Sequence, residues 1–162
     1  MLQLLGINLA KTHDPSILGE EALEDFRQSF RRLAPLADYI ALNISCPNTA
    51  DGQTFEDPYA LDALLTMVTS ERKELHLKTP ILIKLAPPLT PKVVFDSQVE
   101  EIVEVALRHH VHGFIASNTA SDWEGLETDP EILEAIGRGG LSGEPIFERS
   151  TQLVRYLYRR TS

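Results

Sequence analysis

Apolar residues along this chain follow two alternating rhythms. Four short runs, LQLLGINLA from residue 2, DYIALNI from 38, PILIKLAPP from 80 and GFIASNTA from 113, are nearly continuous in aliphatic residues and have the length of strands. Between and after them the spacing changes to threes and fours. Leu23, Phe26, Phe30 and Leu33 recur within 20–34, and Leu61, Leu64, Leu65 and Val68 within 58–77. Val99, Ile102, Val103 and Ala106 recur within 97–109, and Ile146, Ser150, Leu153, Val154 and Leu157 within 146–159. That period lines one face of a helix, and Pro35 as a stop and Pro58 as a start reinforce the assignment. The predicted order is strand then helix, four times over.

Each strand run carries one polar residue near its carboxyl end: Asn8, Asn43, Lys84 and Asn118. Side chains two apart on a strand share a face, so Gly6, Asn8 and Ala10 oppose Leu5, Ile7 and Leu9. Likewise Tyr39, Ala41 and Asn43 oppose Ile40, Leu42 and Ile44, and Leu82, Lys84 and Ala86 oppose Ile81, Ile83 and Leu85. In the fourth run Phe114, Ala116 and Asn118 oppose Ile115, Ser117 and Thr119. A polar residue recurring at four strand ends predicts one shared polar site.

Aliphatic strands alternating with helices imply a parallel sheet covered by helices, either doubly wound or part of an eight-stranded barrel. In both, ligands bind at the carboxyl ends of the strands. No GxGxxG follows the first strand, which disfavours the dinucleotide-binding sheet and leaves the barrel ahead. A complete barrel takes about 250 residues, whereas this chain has 162. The expected fold class is therefore α/β, a partial (β/α)8 barrel of about four consecutive βα units in a single domain over residues 1–162.

Composition narrows the partners. A formal net charge of −9 and a pI near 5.0 disfavour nucleic acid and anionic membrane surfaces, both of which attract basic patches. No stretch approaches the ~20 apolar residues of a membrane span, and the first ten residues lack the pattern of a signal peptide. A cytoplasmic location is the expectation. The connections 45–57 and 119–145 are long for this architecture, as lids and ligand clamps are.

Cys46 is the only cysteine, in NISCPNT between two asparagines and before Pro47. A lone thiol is either a small buried hydrophobe or a reactive group, and its place after a strand with polar neighbours favours the second. The histidines at 13, 76, 109, 110 and 112 do not cluster at a strand end as metal ligands do and read as surface or packing residues.

Five segments in order, GINLAKT (6–12), DYIALNISCPNT (38–49), PILIKLAPPLT (80–90), HGFIASNTA (112–120) and GGLSGEPIFERST (139–151), resemble the middle of dihydroorotate dehydrogenase, an FMN-dependent (β/α)8 barrel of pyrimidine biosynthesis. The resemblance covers nearly the whole chain. It implies oxidation of dihydroorotate to orotate, with Cys46 as the base that removes the C5 proton while hydride leaves C6 for the flavin. It also implies Asn8, Asn43, Lys84, Ser117 and Gly143 toward FMN, and Asn43, Asn48, Asn118 and Thr119 toward orotate. Amides suit that ring because each offers one acceptor and two donors. A lysine within an aliphatic run needs a partner to be buried, which a flavin that becomes anionic on reduction supplies. Glycine at 143 permits a close approach of backbone to cofactor.

The body resembles the membrane-associated, quinone-reducing class, whose base is usually serine, while Cys46 is typical of the soluble class that uses fumarate or NAD. The acceptor stays open between quinone and fumarate or NAD, and a quinone-dependent protein would sit peripherally at the membrane. Ala10, Thr12 and the stretch ADGQTFEDP after Thr49 depart from the family pattern and reshape the loop over the site. The family's first and last barrel strands have no counterpart here, so a truncated barrel is expected, whose activity requires complementary strands or self-association. Two alternatives remain: another FMN-barrel oxidoreductase acting on a reduced pyrimidine-like ring, and a noncatalytic interaction module.

Overall fold

A computed structural model of the chain describes residues 3–45, 55–88, 97–123, 125–137 and 139–162. The strands are β1 (Gly6–Leu9), β2 (Tyr39–Asn43), β3 (Ile81–Leu85) and β4 (Gly113–Ala116), in the sheet order β1-β2-β3-β4. β1 runs parallel to β2 and β2 parallel to β3, with helices α1 (Gly19–Leu33), α2 (Pro58–Glu74) and α3 (Ser97–Arg108) as the connections. The chain divides into two compact units, Met1–Leu85 with Phe95–Ile115, and Ala86–Val94 with Ala116–Ser162.

In the first unit the sheet has one apolar face. Leu9, Ile40, Leu42, Ile81, Ile83 and Leu85 are all buried, and their alternation with Asn8, Ala41, Asn43, Leu82 and Lys84 is the predicted one. α1 turns Ala22, Phe26 and Phe30 inward, with Glu20 and Glu21 in its first turn and Arg31 and Arg32 in its last, the charge order that suits the helix dipole. α2 starts at Pro58 because Asp57 caps it, accepting from the backbone N–H of Tyr59 at 3.0 Å and of Ala60 at 2.9 Å. It buries Leu61, Leu64, Leu65, Met67 and Val68. It ends at Glu74, three residues before the predicted 77, because His76 takes the left-handed conformation with φ 51°.

α1 and α2 are joined by apolar and ionic contacts. Glu71 is buried on α2, and its carboxylate receives Arg31 and, at 3.1 Å, Arg27, both from α1. The rings of Phe26 and Phe55 meet edge to face with centroids 5.1 Å apart, a favoured aromatic geometry. α2 and α3 meet at Asp62, which accepts from His109 Nε2 at 2.9 Å, with Arg108 at 3.4 Å.

The second unit departs from the sequence reading in the connection to its last helix. Residues 119–145, read as a loop, contain helix α4 (Pro130–Ile136) and a 3-10 turn at Glu144–Ile146 before α5 (Phe147–Thr161). α4 has an Asp129 N-cap that accepts from Glu131 N at 2.8 Å, Pro130 in its first position, and Gly137 at φ 77° past its end. These are ordinary helix boundaries, but seven residues are too few to show a period. α5 buries Arg149, Leu153 and Leu157.

Candidate functional site

Register builds the first unit's polar face. Asn43 is the Cα partner of Lys84 across β2 and β3, and Asn8 is the partner of Ala41 across β1 and β2. Ala41 and Asn43 are two apart on one strand, so Asn8, Asn43 and Lys84 share the face opposite the buried aliphatic one. Asn8 is exposed, and Asn43 and Lys84 are half-buried. The Asn43 side-chain oxygen accepts from the buried Ser45 hydroxyl at 3.4 Å. Among the described residues no carboxylate pairs with the Lys84 ammonium. The Tyr39 ring lies over Gly6, where a Cβ would stand 2.0 Å from the ring carbon bearing the hydroxyl.

Ser117, Asn118 and Thr119 belong to the second unit. They lie beyond the last residue of β4, Ala116, and not on the strand as the sequence alternation had them; the Ala116–Ser117 peptide is cis. All three are half-buried. Ser117 Oγ lies 2.9 Å from Ser150 Oγ of α5 and donates to the Asn118 carbonyl at 3.0 Å. The Asn118 side-chain oxygen accepts from Thr119 N at 3.0 Å, a contact between adjacent residues that orients the Asn118 amide. Ala120 and Leu141 exchange backbone hydrogen bonds of 2.9 and 2.8 Å, tying this loop to the GGLSG segment.

Gly143 has φ 82° and caps the 3-10 turn, and among the described residues, its chain neighbours apart, no atom lies within 4 Å of the place a Cβ would take. Its glycine is thus explained by backbone conformation. Cys46 and Asn48 lie outside the described residues. The first unit brings Asn8, Asn43 and Lys84 together, and the second brings Ser117, Asn118 and Thr119 together.

Three residues gain importance from the structure. Gly140, within the GGLSG segment, lies against Thr119: a Cβ there would stand 1.9 Å from Thr119 Oγ1. Arg149 is buried and donates from Nη1 to Asp122 Oδ2 at 2.7 Å and to the Pro88 carbonyl at 3.2 Å. The signal for Arg149 was a charge within the apolar helical repeat of α5; nothing local identifies Asp122.

His112, by contrast, serves the amino ends of the strands. Its Nδ1 accepts from Ile81 N at 3.2 Å, its own N–H donates to the Ile81 carbonyl at 2.8 Å, and Arg72 Nη2 lies 3.3 Å from its Nε2. Loss of solvent around the ring, and then the Arg72 cation, hold its pKa below the usual 6.5. A separate cavity of about 780 Å³ opens where α1 and α2 begin, lined by Lys11, Leu18, Ala22, Phe55, Asp57 and Ala63 among others, and contains none of Asn8, Asn43 and Lys84. Among the described residues no helix is long and apolar enough to cross a membrane.

Residues 3–162 match the family described as dihydroorotate dehydrogenase. The dihydroorotate dehydrogenase (quinone) of Leifsonia xyli subsp. xyli is 38% identical over 151 residues, which are 93% of this chain and 41% of that protein. The protein of the same name from Nocardia farcinica is 35% identical over 156 residues, 96% of this chain and 40% of its own. The crystal structure of ligand-free DHODH from Eimeria tenella aligns with a TM-score of 0.79 at 28% identity, over 98% of this chain and 45% of that one. This chain thus spans about 40% of the length of the curated relatives it matches, and its fold is that of part of a TIM barrel. A family match over nearly every residue, joined to four strands in consecutive order, means that the chain belongs to the dihydroorotate dehydrogenase family.

Proposed function

We propose that this chain is the central part of an FMN-dependent barrel that oxidises (S)-dihydroorotate to orotate in de novo pyrimidine biosynthesis, and that turnover requires the remaining strands. The observation that carries this reading is the register pair Asn43 and Lys84, with Asn8 on the same face, in a chain of this family. A quinone is the favoured acceptor, because the relatives at 38% and 35% identity are named as quinone enzymes. A peripheral membrane location of the intact protein follows from that choice.

The residues suit a flavin. Lys84 is half-buried, its register partner is an asparagine, and no described carboxylate pairs with it, so electronegative ring atoms are fitting partners for its three donors. Asn8 and Asn43 are assigned to the same cofactor, and Ser117 and Gly143 from the second unit. No described residue beyond its chain neighbours crowds the place a Cβ would take at Gly143, which supports its part. When bound, FMN supplies the acceptor for the hydride that leaves C6 of dihydroorotate.

The remaining chemistry belongs to the chain. Cys46 takes the proton from C5 as the C5–C6 double bond forms, then releases it to solvent. A thiol ordinarily titrates near ~8.5 and becomes a stronger participant where its thiolate is stabilised. Asn43, Asn48, Asn118 and Thr119 read the ring edge through paired donors and acceptors. The hydrogen bond between the Asn118 side chain and Thr119 N supports a preorganised pair.

The test is a visible spectrum of the purified chain, mixed with excess FMN and desalted, with and without orotate. Retained flavin whose bands shift with orotate is the expected result, either with the chain alone after self-association or after adding the complementary barrel segment. Failure to retain flavin in both preparations rejects the assignment.

A further inference from the structure

We propose that Arg149 is a positioning residue that fixes the loop after β4, and through it Asn118 and Thr119, by clamping that loop to the segment after β3. The functional part rests on the reading above, in which Asn118 and Thr119 hold orotate.

Arg149 stands in an unfavourable place for a cation. It is the third residue of α5, its side chain is 5% exposed, and the positive end of the helix dipole faces it. Burying a guanidinium is costly, and apolar residues of similar volume usually serve packing as well or better. Packing alone therefore does not account for an arginine here. Its partners do: one nitrogen, Nη1, donates to Asp122 Oδ2 at 2.7 Å and to the Pro88 carbonyl at 3.2 Å. Asp122 comes three residues after Thr119, and Pro88 four residues after Lys84. The guanidinium thus joins the segments that follow two successive strands.

The same loop is held elsewhere. Ser117 meets Ser150, the residue next to Arg149, at 2.9 Å, and Ala120 pairs with Leu141. Those contacts fix the beginning and middle of the loop. Arg149 fixes its end, so that Asn118 and Thr119 lie between anchored points.

The experiment compares the wild-type chain with the double variant Arg149→Met, Asp122→Leu, and with Arg149→Lys. Backbone hydrogen exchange is read at Thr119 and Ala120, whose N–H groups are bonded to Asn118 Oδ1 and the Leu141 carbonyl, alongside the melting temperature and orotate affinity of FMN-loaded protein. The double variant removes both charges of the pair together. It should melt near the wild-type temperature, lose at least tenfold in protection at both amides, and bind orotate at least tenfold more weakly. Arg149→Lys, which keeps a donor for Asp122, should fall between and remains informative if the double variant does not fold. Unchanged protection, or lost protection with undiminished orotate binding, overturns the proposal. If the wild-type protein does not bind orotate either alone or with the complementary barrel segment added, the substrate assignment falls and the exchange measurement alone decides whether Arg149 is a clamp.

Discussion

Asn43 and Lys84 face the same way from directly paired positions on adjacent parallel strands, separated by one strand spacing of about 4.8 Å. An amide and an ammonium side by side attract ligands rather than each other's full charge. The ammonium keeps donors to give, and the amide offers both donor and acceptor. The opposite face of the same strands is closed by Leu42, Ile83 and Leu85, none more than 2% exposed. A rigid apolar layer thus aims two polar groups from behind, which is how a parallel sheet presents a site on its strand ends.

Replacing Lys84 by methionine separates binding from folding. Methionine fills similar volume and removes a charge that has no carboxylate partner among the described residues, so the melting temperature should hold or rise slightly. Flavin affinity should fall at least tenfold, the loss of about 1.4 kcal/mol or more expected for a charge-assisted hydrogen bond. Titration of FMN fluorescence against the two proteins reads the difference, and equal affinities remove Lys84 from the cofactor site.

Gly140→Ala tests the contact with Thr119. The added methyl group would sit 1.9 Å from Thr119 Oγ1, so either the threonine turns away or the GGLSG segment shifts. Orotate should bind at least threefold more weakly while the first unit's core is untouched. An isotherm matching wild type would show that Thr119 does not need its present position.

Two substitutions in the first unit calibrate its stability. Asp57→Ala removes the cap that accepts from Tyr59 N and Ala60 N and should cost about 1 kcal/mol. Phe30→Ala empties a site with 0% exposure and should cost about 3–5 kcal/mol. Urea unfolding followed by circular dichroism gives both values. A Phe30→Ala loss no larger than that of Asp57→Ala would mean that α1 is not seated on a packed core.

The first three strands and their helices were legible in the sequence because burial on one face imposes a period, two for β2 and β3 and three to four for α1 to α3. The same period put Asn8, Asn43 and Lys84 on a common face, since a side chain's side depends only on its place in the strand. Legibility ended where no period operates. β4 stops at Ala116, so alternation says nothing about Ser117, Asn118 and Thr119, whose orientations come from hydrogen bonds to one another and to Ser150. α4 spans two turns and announces itself only by Asp129, Pro130 and Gly137. Asp122 and Arg149 are 27 positions apart, and no local rule couples them.

His112 makes stability depend on pH in a direction that can be checked. Its folded-state pKa lies below 6.5, first through loss of solvent and then through the Arg72 cation, so between that value and 6.5 the unfolded chain binds more protons than the folded one. The contribution is fully present above pH 6.5 and is lost as pH falls through the folded pKa. Asp62 acts in a lower window: the hydrogen bond from His109, and then the charges of His109 and Arg108, hold its carboxyl below 3.8, so its contribution disappears in stronger acid. His112→Asn keeps an acceptor near the Nδ1 position, which receives the Ile81 N–H, and removes the titration. Melting temperatures of wild type and His112→Asn should therefore converge as the pH is lowered from 7 toward about 5, with the wild type losing more. Parallel curves over that interval would mean that the imidazole titrates alike in the folded and unfolded chains, and that the Ile81 and Arg72 contacts do not shelter it.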